Sequence, residues 1–247
     1  MKYVVFYFSP VGGTKTVADL ITNQTGAIIQ ELTTPSMDVS LDADTLAFFC
    51  VPVYAGRIPK PMYDRMKCVK GNNTPCVPVA VYGNRAVDDA LLEMSELAGK
   101  YGFRTVGGIE MIAPHSVDQS IAYDRPDQSD REKLSDYIAK LMAMESFREV
   151  RMPGDPNYAK RKMKDFPIYP KASRKDCIGC GICYKYCPAE AIKAKRMKTI
   201  KRKCINCMRC INICSTQTRH IPKAMELAAH VMLKATCSGR KEPKFYL

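Results

Sequence analysis

The sequence KYVVFYF at Lys2–Phe8, followed by SPVGGTK at Ser9–Lys15, gives the strongest indication of the fold. Its first part is aromatic, aliphatic and β-branched, which predicts a strand buried on both faces. The second part is a turn rich in glycine and hydroxyl groups, and helical spacing of Val17, Leu20 and Ile21 follows it. Exposed amides and the positive end of a helix favour an anion, so this order predicts a phosphate site.

The turn fits neither G-x-x-x-x-G-K-S/T nor G-x-G-x-x-G, so neither a nucleoside triphosphate nor a dinucleotide is indicated. Further strands are predicted at Ala27–Leu32, Leu46–Val53, Val77–Tyr82 and Phe103–Ile112. Helical patterns occupy roughly 59–68, 86–101 and 127–147. Strands that alternate with helices predict an α/β fold with a doubly wound, five-stranded parallel sheet. Ligands of such sheets bind at the carboxyl ends of the strands.

Three of these carboxyl ends share one kind of loop chemistry. The loops are Ser9–Lys15 after the first strand, Pro52-Val53-Tyr54-Ala55-Gly56-Arg57 after the third, and Gly83-Asn84-Arg85 after the fourth. This arrangement resembles the flavodoxins over about residues 1–147. The resemblance implies that FMN binds here, with its phosphate in the first loop and its isoalloxazine ring between the other two.

The resemblance can be carried over residue by residue. Ser9, Gly12 and Thr14 match the S-x-T-G-N-T phosphate loop of that family. Val11 and Gly13 depart from it, because they replace a hydroxyl and an amide side chain, and backbone amides would serve there. Tyr54 would stack on the ring. The positions that would bring loop backbone to the ring edge are Gly56, Gly83 and Asn84.

Each of these residues also has a plain structural interpretation. Tyr54 can be an exposed loop tyrosine, and Gly83-Asn84 can be an ordinary turn. Arg57 can be a solvated charge, or it can approach the flavin or an acidic partner. His115, after the fifth strand, is either structural or a proton donor to reduced flavin or substrate, and no carboxylate partner is evident for it.

Eight of the twelve cysteines form two matching C-x2-C-x2-C-x3-C runs. Three thiolates of one run can hold three corners of a cubane cluster, and the fourth reaches the other cluster. One cluster is therefore assigned to Cys177, Cys180, Cys183 and Cys214. The other is assigned to Cys204, Cys207, Cys210 and Cys187. Residues 173–218 resemble the bacterial ferredoxins with two [4Fe–4S] clusters, although Ser215 stands where that family usually has proline.

Zinc and disulfides fit these cysteines less well. A third cysteine six residues after the first has no place in a tetrahedral zinc knuckle. A disulfide framework is typical of secreted chains, whereas the N-terminus runs straight into a strand without a signal peptide. A cytoplasmic location is therefore expected. The remaining cysteines have no ligand spacing: Cys50, Cys68, Cys76 and Cys237.

The charge of the chain changes sign near residue 148. Residues 1–147 contain 14 Lys and Arg against 18 Asp and Glu, a net of −4, whereas residues 148–247 contain 24 against 7, a net of +17. Part of this basic excess compensates the negative clusters, and the rest would attract redox partners with acidic docking surfaces. Nucleic-acid binding is not expected, because no aromatic residues interleave with the lysines. No apolar stretch is long enough to span a membrane.

The composition predicts four segments. Residues 1–147 form the flavodoxin-like domain, and 148–172 form a basic connector with prolines at 153, 156, 167 and 170. Residues 173–220 form a small α+β domain that resembles the two-cluster ferredoxins. Residues 221–247 form a C-terminal helix, over Ile221–Cys237, with a tail that follows Gly239.

The whole chain resembles the flavodoxin–ferredoxin fusion proteins of anaerobic prokaryotes, and this resemblance implies electron transfer between the clusters and FMN. The main hypothesis is an electron carrier between redox proteins. The alternative is an FMN-dependent reductase of a small-molecule acceptor, fed by the clusters. A third class, a redox sensor or nucleic-acid-binding protein, would use its clusters structurally. Whether the flavin faces the clusters of its own chain or those of a homodimer partner stays open.

Overall fold

A mixed β-sheet forms the centre of the N-terminal half in a computed structural model that describes residues 1–35, 38–160, 168–173 and 175–247. Within these ranges the strands are β1 (Lys2–Tyr7), β2 (Ile28–Glu31), β3 (Val39–Leu41), β4 (Thr45–Pro52), β5 (Val69–Gly71), β6 (Thr74–Tyr82), β7 (Phe103–Thr105), β8 (Gly108–Ile112), β9 (Lys171–Ala172), β10 (Arg219–His220) and β11 (Lys244–Tyr246). The α-helices of the same ranges are α1 (Gly13–Thr25), α2 (Pro61–Arg65), α3 (Ala90–Gly99), α4 (Gln128–Met142), α5 (Ile182–Lys185), α6 (Arg209–Asn212) and α7 (Lys223–Thr236). Short 3-10 helices lie at Met66–Cys68, Tyr158–Lys160, Lys195–Met197 and Lys201–Lys203.

The parallel strands of the sheet follow the order β2-β1-β4-β6-β8. Taken as the first to the fifth parallel strand, this is the 2-1-3-4-5 order of the flavodoxin-like doubly wound sheet. The predicted fold class is therefore confirmed. The order reverses beside β1, so the loops that follow β1 and β4 flank the crevice where such folds bind ligands.

The fifth predicted strand is interrupted. The sequence predicts one strand over Phe103–Ile112, whereas the structure has β7 and β8 with a break at Val106 and Gly107. Both pieces pair in parallel with β6, β7 near its start and β8 near its end. Gly107 has no room for a side chain, because a Cβ there would lie 2.4 Å from the Tyr137 hydroxyl oxygen.

Both faces of the sheet are covered, as the continuous apolar runs of β4 and β6 require. On one face the side chains of Val17 and Ile21 in α1 pack with Leu134 and Ile138 in α4. On the other face α3 covers a second apolar layer that includes Phe6 and Phe49, whose stacked rings lie 5.3 Å apart.

The first part of the connector is ordered against α3. Met152 and Tyr158 are buried in the same apolar layer as α3. The backbone amide of Asp155 donates a hydrogen bond of 2.9 Å to Asp89 Oδ1 at the N-terminus of that helix. Residues 148–160 therefore extend the flavodoxin-like domain along one face, while the predicted connector residue Pro167 lies outside the described residues, as does the nearby Arg174.

The C-terminal segment returns to the sheet. The sequence predicts a helix with a tail here, and the structure adds strand β11, which pairs antiparallel with β8 and places Phe245 beside Ile109. Arg240 contributes an exposed ion pair of 2.5 Å to Asp127, the residue that caps α4. The tail thereby covers the outer edge of β8.

The cysteine-rich region is built from short elements. Strands β9 and β10 pair antiparallel, with Ala172 beside Arg219. Helices α5 and α6 each begin within a cysteine run and contact each other. Throughout the described ranges, the structure contains no helix that is both long and apolar enough to cross a membrane.

Candidate functional site

The turn after β1 is shaped for an anion. Gly12 caps α1 with a φ of 100°, a conformation that favours glycine. Ser9 is buried, and its hydroxyl oxygen accepts a hydrogen bond of 2.9 Å from the Lys15 amide. Within the described residues, no hydrogen bond uses the amides of residues 11–14. These free amides at the N-terminus of a 13-residue helix can receive a phosphate.

Position 13 of this turn also favours a glycine. A Cβ at Gly13 would lie 3.0 Å from Ala113 Cβ, which is tighter than an ordinary contact. Thr14, the second residue of α1, is buried. The predicted phosphate residues Ser9, Gly12, Gly13 and Thr14 therefore lie in one turn, together with the half-buried Val11.

Tyr54 lies in the tight turn that follows β4. Its backbone amide donates to the carbonyl of Arg57 at 2.9 Å, and Ala55 and Gly56 between them have positive φ angles. The ring is half-buried, whereas the hydroxyl is fully buried and, among the described residues, has no hydrogen-bond partner. Burial raises the pKa of Tyr54 well above its usual value, and the nearby Cys207 thiol acts in the same direction.

Tyr54 is thus more than an exposed loop tyrosine. Its buried hydroxyl is a donor without a hydrogen-bond partner among the described residues. The sequence predicts that its ring lies at the flavin and gives no sign that Cys207 affects its pKa. The two residues are 153 positions apart in a chain without an internal repeat that would relate them.

Arg57 is held inside the protein. Its Nε and Nη2 atoms each donate to the Glu93 carboxylate at 2.6 Å, and Nη1 donates to the Tyr158 carbonyl at 3.0 Å. The guanidinium also lies 4.4 Å from the centre of the Tyr158 ring. The solvated-charge interpretation of Arg57 therefore does not describe this structure, and its guanidinium joins the turn to α3 and the connector.

Replacing Glu93 with glutamine should destabilise the flavodoxin-like domain by about 3–5 kcal/mol, because the substitution leaves the Arg57 cation buried without its partner. Glu93 also accepts from the Tyr63 hydroxyl at 2.5 Å and from the Ile58 amide at 3.0 Å. Thermal unfolding followed by circular dichroism measures the loss.

The matched control is Asp64→Asn, which removes the partner of Lys67 in an exposed ion pair. Surface ion pairs contribute little, so its transition temperature should stay near that of the wild type. Equal stability of Glu93→Gln and Asp64→Asn would show that the Arg57 pair does not hold the turn in place.

The loop after β6 is tied to the C-terminal segment. Asn84 has a positive φ of 63°, and its side-chain amide donates to the carbonyls of Cys237 at 2.7 Å and Gly239 at 2.8 Å. Its carboxamide oxygen is buried and has no partner among the described residues. Arg85 forms an ion pair with Asp88. These contacts make Gly83-Asn84-Arg85 more than a plain turn.

His115 packs directly on this loop. A Cβ at Gly83 would lie only 2.4 Å from His115 Cδ2, so the imidazole requires a glycine there. Burial lowers the pKa of His115 below its usual value, and the opposing Asp118 carboxylate does not reverse this. His115 Nδ1 accepts from the Val117 amide at 3.2 Å, which leaves the proton of the neutral ring on Nε2. The contacts fit the structural interpretation better than a proton donor.

The structure brings four cysteines of the two runs around one cavity. These are Cys187 of the first run with Cys204, Cys207 and Cys210 of the second. The rest of the lining is mostly apolar and includes Ile192, Met208 and the buried Arg219. This is the grouping that the crossed assignment requires for one cluster.

The other three cysteines of the first run differ in exposure, and Cys183 packs beside Cys177, Cys187 and Cys210. Burial raises the pKa of Cys183, and the charges of Cys177 and Cys214 act in the same direction. Cys180, in contrast, is exposed. Burial opposes ionisation of Cys214, but hydrogen bonds from Thr218 and from neighbouring backbone amides outweigh it and lower the pKa of Cys214 to about 6. Cys214 is therefore ready to bind a cation as a thiolate.

Thiol pKa values in the enclosed cavity shift in the opposite direction. Burial raises the pKa of Cys210 to about 11 and also raises the pKa of Cys204 and Cys207. Thiolates in such a place need cations within the cavity to balance them, which iron ions would supply. Across the described ranges, no three His, Cys, Asp or Glu side chains come close enough to hold one single metal ion.

The second cysteine run lies against the predicted flavin loops. Arg209, within that run, donates from Nη1 to the carbonyls of Pro10 at 3.1 Å and Ser9 at 3.4 Å. Arg65 of α2 donates to the carbonyl of Pro188 at 3.4 Å. The two halves of the chain therefore meet where the phosphate turn and the cysteine cavity are adjacent. No local signal in the sequence marks Arg209 for this contact.

One family model matches part of the chain. The family model described as a 4Fe-4S dicluster domain matches residues 134–230. No match is found among curated proteins.

Similar solved structures cover the N-terminal half and align over nearly their whole length. Flavodoxin 2 from Bacillus cereus is 18% identical with a TM-score of 0.42, and covers 57% of this chain and 98% of its own. A Streptococcus flavodoxin is 17% identical with a TM-score of 0.40, and covers 58% and 99%. A flavoprotein from Bacteroides uniformis is 14% identical with a TM-score of 0.40, and covers 56% and 97%. The fold assignment itself rests on the strand order.

The chain therefore combines an α/β domain that has the flavodoxin-like strand order with a region that matches the 4Fe-4S dicluster model.

Proposed function

We propose that this chain transfers single electrons between two [4Fe–4S] clusters and one FMN, and thereby between redox partner proteins. The observation that carries the proposal is the contact of Arg209, within the second cysteine run, with the phosphate turn at Ser9 and Pro10. A flavin exchanges one or two electrons and a cubane exchanges one, so the pair can link two-electron partners to one-electron carriers.

The cysteines would hold the clusters in the two crossed sets predicted from their spacing. Cys187, Cys204, Cys207 and Cys210 enclose one cavity. The second set consists of Cys177, Cys180, Cys183 and Cys214. The buried Arg219, whose Nε has no partner among the described residues, supplies a cation suited to anionic cysteinyl groups on both sides.

The turn after β1 would hold the FMN phosphate. Its free amides and the N-terminus of α1 supply the donors, and Arg209 adds a cation at the same turn. Tyr54 and the backbone of Gly56 and Gly83 would border the ring, as in the resemblance to flavodoxins. The Asn84 carboxamide oxygen, buried without a partner among the described residues, is available to accept a hydrogen bond from a ring N–H.

Arg209 connects the two candidate sites within one chain. This residue of the second cysteine run donates to the carbonyls of Ser9 and Pro10 in the turn after β1. That contact supports transfer within one chain over transfer across a homodimer. The cluster held by Cys187 and the second run would then be the one next to FMN.

The other set of cysteines would face the partner protein. Cys180 is exposed, and the large apolar residues Ile178, Tyr184 and Tyr186 are exposed around it. Basic residues in this half of the chain complement a partner with an acidic docking surface. Such a surface combines apolar contact with electrostatic steering.

The alternative, reduction of a small-molecule acceptor, would need open space over the flavin ring. The hydrogen bonds of Asn84 hold the C-terminal segment over the loop after β6. This cover favours protein partners over a substrate that stacks on the ring.

Anaerobic purification should give about eight iron and about one FMN per chain, as two cubanes and one flavin require. Metal analysis, acid-labile sulfide and flavin absorbance measure the content. Zinc in place of iron, or iron without flavin, would contradict the proposal. Rapid flavin oxidation by one small compound without any protein acceptor would favour the reductase.

A further inference from the structure

Arg219 is a buried cation between the two sets of cysteines. It is 2% exposed and the largest of the fully buried side chains in the described part of the protein. Its Nη1 donates to the Met197 carbonyl at 2.8 Å, and its Nη2 donates to Thr199 Oγ1 at 2.7 Å and to the Pro170 carbonyl at 3.2 Å. These are neutral acceptors, so they orient the guanidinium but do not balance its charge.

The Arg219 side chain contacts a cysteine of one set and lines the cavity of the other. Nη1 lies 3.8 Å from Cys183 Sγ, which belongs to the set with Cys214. The same side chain lines the cavity of Cys187, Cys204, Cys207 and Cys210. One charge therefore borders both predicted cluster sites.

No other anion accounts for this charge. Among the described residues, no carboxylate oxygen lies within 4.0 Å of the Arg219 guanidinium, and its buried Nε has no hydrogen-bond partner. Arginine does not lose its proton in proteins, and a buried charge without a counter-charge is costly. The cysteine sulfurs are the groups that become anionic when iron is bound.

We propose that Arg219 is the shared counter-charge of two clusters and raises the reduction potential of both. The proposal rests on the two-cluster assignment made above. Reduction adds negative charge to a cluster, and a cation fixed in a dry interior stabilises the reduced form more than the oxidised form. Because the charge lies between the two sites, its removal should affect both potentials in the same direction.

The test is a redox titration of the intact, cluster-loaded protein, followed by electron paramagnetic resonance. Arg219→Gln should shift both cluster midpoints to more negative values, by at least tenfold in each reduction equilibrium, which is about 59 mV for one electron. Arg219→Lys keeps the charge and should stay closer to the wild type than Arg219→Gln. Arg202→Gln makes the same chemical change at an exposed arginine of this region and should shift neither midpoint.

Iron content and two cluster signals in the wild type are measured first, so that failure of the two-cluster assignment is recognised separately. If Arg219→Gln binds no iron while Arg219→Lys binds it fully, the charge is required for assembly and the proposal stands. Unchanged midpoints in a fully loaded Arg219→Gln protein would overturn it. So would a shift of one midpoint alone, or loss of both clusters in Arg219→Lys as well as in Arg219→Gln.

Discussion

Replacing Cys187 with serine should remove the cluster next to the flavin loops and leave the other cluster in place. Cys187 lies in the first run, but the structure places it in the cavity of Cys204, Cys207 and Cys210. Without it, three thiolates remain for four iron corners. Iron content should fall from about eight towards about four per chain, and one of two paramagnetic signals should disappear on reduction.

Two further variants complete this experiment. Cys214→Ser should remove the other cluster, because the crossed assignment gives Cys214 to the set of Cys177, Cys180 and Cys183. Cys237→Ser is the matched control, since Cys237 is a buried thiol that packs with Ile121 and Leu233 away from both sets. Loss of the same signal in Cys187→Ser and Cys214→Ser would contradict the crossed assignment.

Local sequence patterns predict most of the architecture correctly. The apolar runs of β1, β4 and β6 are continuous because both faces of each strand are buried, and this signal needs no knowledge of distant residues. The spacing of the cysteines is equally local, since three ligands of each set lie within seven residues. Both predictions depend on short-range geometry, which the sequence contains directly.

Contacts between distant segments are not predicted. Strand β11 has three residues and joins the sheet edge through backbone hydrogen bonds to β8, so its sequence carries almost no strand signal. The side chain of Asn84 holds two carbonyls more than 150 positions away. Such contacts depend on the assembled fold, and a single chain offers no covariation from which to infer them.

The same limit applies to the functional arginines. In the sequence, Arg209 and Arg219 are two members of a basic excess that resembles a solvated surface. In the structure, Arg219 is buried between the cysteine sets and Arg209 reaches the phosphate turn. The net charge of the sequence indicates that the basic residues together compensate the negative clusters. The structure identifies Arg209 and Arg219 as the two that can do so from inside the protein.

Replacing Arg209 with glutamine should weaken FMN binding and slow electron transfer from the clusters to the flavin. The variant loses the charged hydrogen bonds to the Ser9 and Pro10 carbonyls and the cation beside the phosphate turn. A hydrogen bond from a charged donor contributes about 1.5–3 kcal/mol, so FMN affinity should fall roughly ten- to hundredfold. Quenching of FMN fluorescence measures the affinity, and stopped-flow absorbance after cluster reduction measures the transfer rate.

Arg202→Gln serves as the control. Arg202 lies two residues before Cys204, and its side chain is exposed. Its FMN affinity and transfer rate should match those of the wild type. The rate is measured over a range of protein concentrations with saturating FMN, since transfer within one chain does not depend on concentration. A wild-type rate that rises in proportion to concentration would mean that electrons pass between chains. An unchanged rate and affinity in Arg209→Gln would mean that the contact at Ser9 and Pro10 has no part in either step.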